Sequence, residues 1–389
     1  MAESTKFLEI AQRINGEITN LRHLQIEAIE CLLKGISTLP TGSGKTICYL
    51  APSLIAPPSI VIILVPLIAL LEDLFLRLHA RINLIDLRKS RVTYAAVRDY
   101  DSLMRNGESL FFITTHESFL NQTILHAFLE RCNTASLRIV HDEAHTVPSW
   151  GVEFRPSLLR VREVLMKLGM VQHIFVSATL TAADIDFFKD MYGISSIRVI
   201  SELAIRKEIS YKVVDVRQVS ANYKSLGAVE KDPKPLLEYL NVASYPTQQF
   251  VIFAENIAKL EKLRKAFLEI NIHAAIFHGS LPDNRKTTEI VDWLSGNRQI
   301  LLATSAVSLG VSNPRCSVTV HLGPSSSVNN FIQESGRAGR KGQESTCLVI
   351  LDSSFTYMKM CRSIEYRQTS DLKMYREIKP GTISKGNNQ

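Results

Sequence analysis

The sequence predicts an α/β protein in which two domains follow one another, each a mostly parallel sheet flanked by helices. Short runs of β-branched and aromatic residues alternate with stretches of helical period, as parallel sheets require, because each crossover between strands is normally a helix. The alternation weakens once, around residues 202 to 245, where polar stretches such as VSANYKS and KDPKP stand. A composition that is 46% hydrophobic and 21% charged can fill both cores and excludes a largely disordered chain.

Taken in order, strands are expected over IVIILV (60 to 65), SLFFIT (109 to 114), SLRIV (136 to 140), HIFVSA (173 to 178), QFVIFA (249 to 254), HAAIFH (273 to 278), QILLAT (299 to 304) and SVTVHL (317 to 322). The run IVIILVPLIALL (60 to 71) is too short for the ~18 to 20 residues of a membrane span and is broken by Pro66, so it reads as a buried strand running into a helix. In ENIAKLEKLRKAFLEI (255 to 270), Ile257, Leu260, Leu263 and Phe267 share one face, which predicts a helix packed on a sheet. The polar stretch puts the boundary near residue 210, giving domains over 1–210 and 211–355 and a short charged tail over 356–389.

The formal net charge of +7 suits a polyanionic partner. Six cysteines are scattered without a CxxC pair, which predicts no zinc site and no disulfide framework and fits a reducing intracellular compartment. The polar, amphipathic start MAESTKFLEIAQRING is unlike a secretory signal, and no membrane association is expected.

Three segments carry chemistry. LPTGSGKTICY (39 to 49) follows a short apolar stretch and precedes a helical pattern. Within its Thr41-Gly42-Ser43-Gly44 turn, the glycines let successive N–H groups face phosphate oxygens; Lys45 would reach the β- and γ-phosphates and Thr46 would hold Mg²⁺. Leu39 stands where the formal GxxxxGK[ST] pattern has its first glycine, so a plain helix-capping turn is the other reading. In IVHDEAHTVPSWGVEFRP (139 to 156), Asp142 and Glu143 close a strand: the aspartate would complete a Mg²⁺ shell and the glutamate polarise an attacking water, or the two form a solvated acidic helix start. FIQESGRAGRKG (331 to 342) places Arg337 and Arg340 one helical turn apart between glycines. By itself it reads as a solvated basic helix, but beside a phosphate loop it supplies the cations that phosphoryl transfer needs.

LPTGSGKT, VPLIALLEDL, HDEAH, SAT, IFHGSL, LLATSAVSLGV and QESGRAGR stand in the order of the superfamily 2 helicase motifs, and the set resembles the RecQ family of DNA helicases over about residues 20 to 352. QESGRAGR together with WGVEFRP is similar to RecQ, whereas DEAH-box RNA helicases usually carry an arginine where Glu334 stands. The resemblance implies two tandem RecA-like domains that couple ATP hydrolysis to 3′–5′ translocation on single-stranded and branched DNA, with ATP and Mg²⁺ as cofactors, RNA remaining open as a substrate, and a nuclear location. It implies that Gln25 reads adenine and that Ser177 and Thr179 couple the domains. It further implies that Gln333, Arg337 and Arg340 complete the ATP site. Trp150, Phe154 and Arg155 correspond to the family's aromatic-rich loop, which senses single-stranded DNA, and Thr115 and Thr304 fall at nucleic-acid contact positions. A packing role for Trp150 and Phe154 is the alternative.

The chain departs from the family at identifiable places. Only ISTL separates Gly35 from Pro40, a short strand before the phosphate loop. Ser149 and Val152 replace a glutamine and a histidine in the tryptophan loop, Ser312 replaces an aspartate, and His141 sits where an apolar residue normally precedes the acidic pair. The family's four-cysteine zinc module should begin after about residue 352, where only Cys361 appears, so a helicase core alone is expected. These departures support a second reading: a nucleic-acid-binding protein of helicase fold with a degenerate ATPase, or a fragment of a longer helicase.

Overall fold

Side chains of the run IVIILV alternate between two cores, which explains why the run is apolar throughout. In the computed structural model, Val61, Ile63 and Val65 join a cluster with the helices Ala2–Ile14, His23–Leu32 and Lys45–Ile55. Ile60, Ile62 and Leu64 join another with the helices Ser157–Lys167 and Ala182–Tyr192. A strand covered on both faces needs apolar residues at every position. Truncating one of these fully buried isoleucines to alanine would cost about 2–5 kcal/mol.

The structure describes residues 2–16, 18–34, 37–39, 45–89, 91–132, 136–151, 156–169, 171–177, 180–200, 206–304, 313–325, 328–339 and 342–352. The chain divides into two units, Met1–Ala204 and Ile205–Gln389. The strands of the first are β1 (Ser37–Leu39), β2 (Ile60–Val65), β3 (Leu84–Asp86), β4 (Leu110–Thr115), β5 (Leu137–Asp142), β6 (Gln172–Val176) and β7 (Arg198–Val199), in the sheet order β3-β4-β2-β5-β6-β1-β7. The second unit contains β8 (Ile209–Asp215), β9 (Gln249–Ala254), β10 (Ala275–Phe277), β11 (Ile300–Ala303), β12 (Cys316–Leu322) and β13 (Ser345–Leu351), in the order β10-β11-β9-β12-β13-β8. Pairing is parallel throughout both sheets among the described residues.

The eight expected strands are present, displaced by at most a few residues at their ends. The helix Ile257–Glu269 buries Leu260, Leu263 and Phe267 of the expected face and leaves Ile257, at its first position, half-buried; Asn256 caps it by accepting from Lys259 N at 3.0 Å. Among the described residues, four strands go beyond these eight and the short one expected at ISTL. β1, where ISTL predicted a short strand, spans three residues and lies between β6 and β7. β8 lies inside the polar stretch, as do the short helices Leu226–Lys231 and Lys234–Tyr239. Paired among the described residues with β13 alone, β8 is an edge strand that exposes Tyr211 and Val213 and lacks the pattern of a buried one. The tail expected over 356–389 lies outside the described residues. Among the described residues no helix is long and apolar enough to cross a membrane.

Candidate active site

Residues at the carboxyl ends of parallel strands surround the crevice in which open α/β sheets place ligands. β5 is held between β2 and β6 and ends at Asp142, so the acidic pair emerges from the middle of the first sheet. Immediately after it Glu143 turns into the left-handed region, φ 49°, a conformation that costs a non-glycine residue about 1–2 kcal/mol. Neighbouring groups hold the turn. Glu143 N donates to Asp142 Oδ1 at 3.1 Å, Ala144 N to Val176 O at 3.0 Å, and Thr146 Oγ1 to Glu143 O at 2.8 Å.

Lys45 opens the helix Lys45–Ile55, whose N-terminal end carries partial positive charge. Its Nζ lies 3.3 Å from Glu143 Oε1 and 3.7 Å from Asp142 Oδ1, with the three side chains 14–15% exposed. Burial alone would drive the proton off this lysine; the two carboxylates outweigh that effect and hold it above its ordinary value. Burial pushes the Asp142 carboxyl above its ordinary value, opposed by Lys45 and reinforced by Glu143. The structure therefore brings together a cation and two carboxylates that the sequence separates by 98 positions in the case of Lys45 and Glu143. The oxygens of Asp142 and the hydroxyl of Thr46, next to Lys45 on the same helix, are hard donors of the kind Mg²⁺ takes. Among the described residues no group of three or more histidine, cysteine, aspartate and glutamate side chains is placed to hold a metal.

His145 is a further site residue that sequence reasoning did not single out. Its Nδ1 lies 2.9 Å from Ser177 Oγ, just past β6, and 3.5 Å from Glu143 Oε2, linking the acidic turn to the SAT segment. Burial lowers its pKa to about 4, so the link is made by a neutral imidazole. The signal was the histidine two places after Glu143; what it touches depends on β5 and β6 being neighbours.

His141 does sit in an apolar slot. It is 1% exposed, its Nε2 meets His173 Nδ1 at 3.1 Å, and its ring stacks on Phe175 at 4.9 Å. Burial pushes His173 down to about 3 and His141 well below its ordinary value, with His173 and His116 adding to the effect on His141. A histidine whose folded-state pKa is depressed contributes stability that is intact above its unfolded value of about 6.5 and is lost as pH falls toward the folded value. The loss is about 1.4 kcal/mol per pH unit for each such histidine. Asp142, with its carboxyl raised, acts in the opposite sense just above its ordinary value. Thermal melts at pH 7.5, 6.5 and 5.5 should show steep acid destabilisation, reduced in His173→Gln; equal slopes for both proteins would refute the buried-pair account.

The remaining expected residues are placed as follows. Gln25 is buried near the start of the helix His23–Leu32, its Oε1 accepting from Arg22 N at 2.9 Å. Thr115 ends β4 and caps the helix His116–Leu120, its Oγ1 accepting from Ser118 N at 3.3 Å. Thr304 follows β11, its N–H bonded to Phe277 O at 3.2 Å. Trp150 lies on the helix Thr146–Gly151. In the second unit Gln333 is on the helix Val328–Ser335 and Arg337 just beyond it, 9% and 6% exposed. The glycines there are needed: a Cβ at Gly336 would come within 2.9 Å of Ile332 O, and Gly339 has φ +71°. Thr41, Gly42, Ser43, Gly44, Phe154, Arg155, Thr179, Ser312 and Arg340 lie outside the described residues.

The DEAD/DEAH box helicase family matches residues 22–188, and the helicase conserved C-terminal domain matches residues 232–342. The ATP-dependent DNA helicase Q-like 5 of Arabidopsis thaliana is 27% identical over 356 residues, 90% of this chain and 37% of that protein. The ATP-dependent DNA helicase Q1 of Pongo abelii is 25% identical over 354 residues, 89% of this chain and 52% of that protein. The chain thus spans between about a third and about half the length of these relatives. In fold it is similar to S. cerevisiae Dbp5 bound to RNA and ADP BeF3, with a TM-score of 0.65 at 15% identity, covering 97% of this chain and 92% of that one.

Proposed function

From the premise that this chain belongs to the RecQ family of superfamily 2 helicases, as their core of tandem RecA-like domains, we propose that it hydrolyses ATP to move 3′–5′ along single-stranded DNA and open duplexes, branched ones included. The observation that carries the reading is Lys45 bridging Asp142 and Glu143 at the end of β5. There a triphosphate finds a cation, Asp142 and Thr46 hold the Mg²⁺ that accompanies it, and Glu143 accepts the proton of the attacking water. Mg²⁺ supplies charge neutralisation at the phosphates. Gln25 selects adenine, Thr41 to Gly44 wrap the phosphates, and Gln333, Arg337 and Arg340 offset the charge that develops as the phosphoryl group transfers. Thr115, Trp150, Phe154, Arg155 and Thr304 face the nucleic acid, and the work is done in the nucleus.

DNA is preferred to RNA because of Glu334 and the tryptophan loop, and because the two relatives described above are named as DNA helicases. The test is steady-state ATP hydrolysis with no nucleic acid, with single-stranded DNA and with RNA. Stimulation by DNA several-fold above that by RNA is expected, and Trp150→Ala should remove most of it; base stacking is worth about 1–3 kcal/mol. Stimulation by RNA alone would overturn the DNA assignment, and a strongly stimulated Trp150→Ala protein would reduce the loop to packing.

A second reading, a nucleic-acid-binding protein with a degenerate ATPase or a piece of a longer helicase, is favoured by the three residues of β1 and by the share of its relatives that the chain spans. Hydrolysis no faster than that of Glu143→Gln would decide for the degenerate ATPase.

A further inference from the structure

Glu334 distinguishes this chain's QESGRAGR from the arginine-bearing version, and its surroundings give it work to do. The segment around it is tied down on two sides. Arg206 Nη2 donates to Ala338 O at 3.2 Å and to Gly339 O at 2.9 Å. Glu334, only 3% exposed, accepts from Ser325 Oγ at 2.8 Å through the same Oε2 that lies 3.3 Å from His321 Nδ1. His321 is in β12, opposite Phe253 of β9 and Val349 of β13, so this contact reaches the interior of the second sheet. Its ring stacks on Phe253 at 5.1 Å and meets Phe331, on the same helix as Glu334, at 5.2 Å. Its Nε2 reaches no hydrogen-bond partner among the described residues, so the ring meets the carboxylate through Nδ1.

A buried carboxylate is costly unless it is hydrogen-bonded or paired, and Ser325 and His321 are the partners that hold this one in place. The two neighbours that matter are Gln333, one residue before Glu334, and Arg337, three after it. Gln333 shares the helix with Glu334, and Arg337 stands in the turn just past its end, its N–H donating to Glu334 O at 3.1 Å, so whatever fixes Glu334 against β12 also fixes where those two side chains are presented. Misplacing a catalytic group by about 1 Å can cost on the order of 100-fold in rate.

We propose that Glu334 is a positioning residue for phosphoryl transfer: held by His321 and Ser325, it sets the placement of the helix Val328–Ser335 on the second sheet and hence of Gln333 and Arg337. This rests on the ATPase reading given above. The experiment compares kcat, the KM for ATP and Tm, with single-stranded DNA present, for the wild type, Glu334→Gln, Glu334→Ala and His321→Phe. Glu334→Ala should lower kcat about 10- to 100-fold with KM changed no more than about twofold. Glu334→Gln still accepts from Ser325 and the imidazole and should keep kcat within about threefold. His321→Phe keeps the ring stacking, loses the polar contact and should fall toward Glu334→Ala. If Glu334→Ala does not melt cooperatively, His321→Phe against Glu334→Gln decides. A kcat within twofold of wild type in Glu334→Ala, or in His321→Phe where that pair decides, overturns the positioning role while leaving the ATPase reading intact. A wild type that hydrolyses no ATP overturns that reading and the role with it.

Discussion

Glu143→Gln is expected to abolish ATP turnover, by about 100-fold or more, while leaving nucleotide binding unchanged, and Lys45→Ala to abolish both. The two outcomes differ because the side chains act on different charges. Glutamine preserves the shape of Glu143 and its left-handed turn but cannot take a proton, and a positioned general base contributes about 10²–10⁴ in rate. Alanine at position 45 removes the cation that balances Asp142 and Glu143 at 3.7 and 3.3 Å, leaving two carboxylates facing an incoming polyphosphate. Titration with a fluorescent ATP analogue, set beside phosphate release, distinguishes the cases. Normal turnover by Glu143→Gln would remove Glu143 from the catalytic role.

The second large effect is expected at Arg337, where lysine should lower turnover about 100-fold or more with Tm nearly unchanged. Lysine keeps the charge but loses the planar fork that can hold two phosphoryl oxygens at once. Arginines in this role contribute about 10³–10⁵ in rate, of which a point charge recovers only part. Arg337 is 6% exposed, so the substitution also needs a melting curve, to separate lost chemistry from lost packing. If Arg337→Lys hydrolyses ATP at the wild-type rate, the arginine has a structural task only.

Lys45 and the acidic pair lie in the part of the protein that sequence displays well. Strands such as β2 and β9, covered on both faces, announce themselves as unbroken apolar runs, and Lys45, Asp142 and Glu143 sit at strand or helix ends where the pattern changes. β8 is invisible for the opposite reason: an edge strand with Tyr211 and Val213 in solvent has no face that must be apolar. β3 and β7, with three and two residues, are too short to have a period. β13 carries an ordinary buried run, CLVIL, overshadowed by the basic glycine-rich segment before it. His145 with Ser177 in the first unit, and His321 with Glu334 in the second, could not be paired in advance. Each contact exists because two strands, or a strand and a helix, become neighbours in space, and no local spacing encodes that.

The place of β1 in the first sheet also governs when the site can come into being. Ser37 pairs with Ile174 and Arg198, so the strand leading toward Lys45 finds its neighbours only after most of the first unit has been made. Pairings of such long sequence separation close large loops and slow folding, whereas β2 and β4 can join much sooner. A nascent chain halted before β6 can therefore seat the helix Lys45–Ile55 on β2 but leaves β1, the strand leading toward that helix, without either of its neighbours. ATP binding during refolding should appear with the last protected amides of the sheet, which makes the nucleotide a reporter of the final step of assembly.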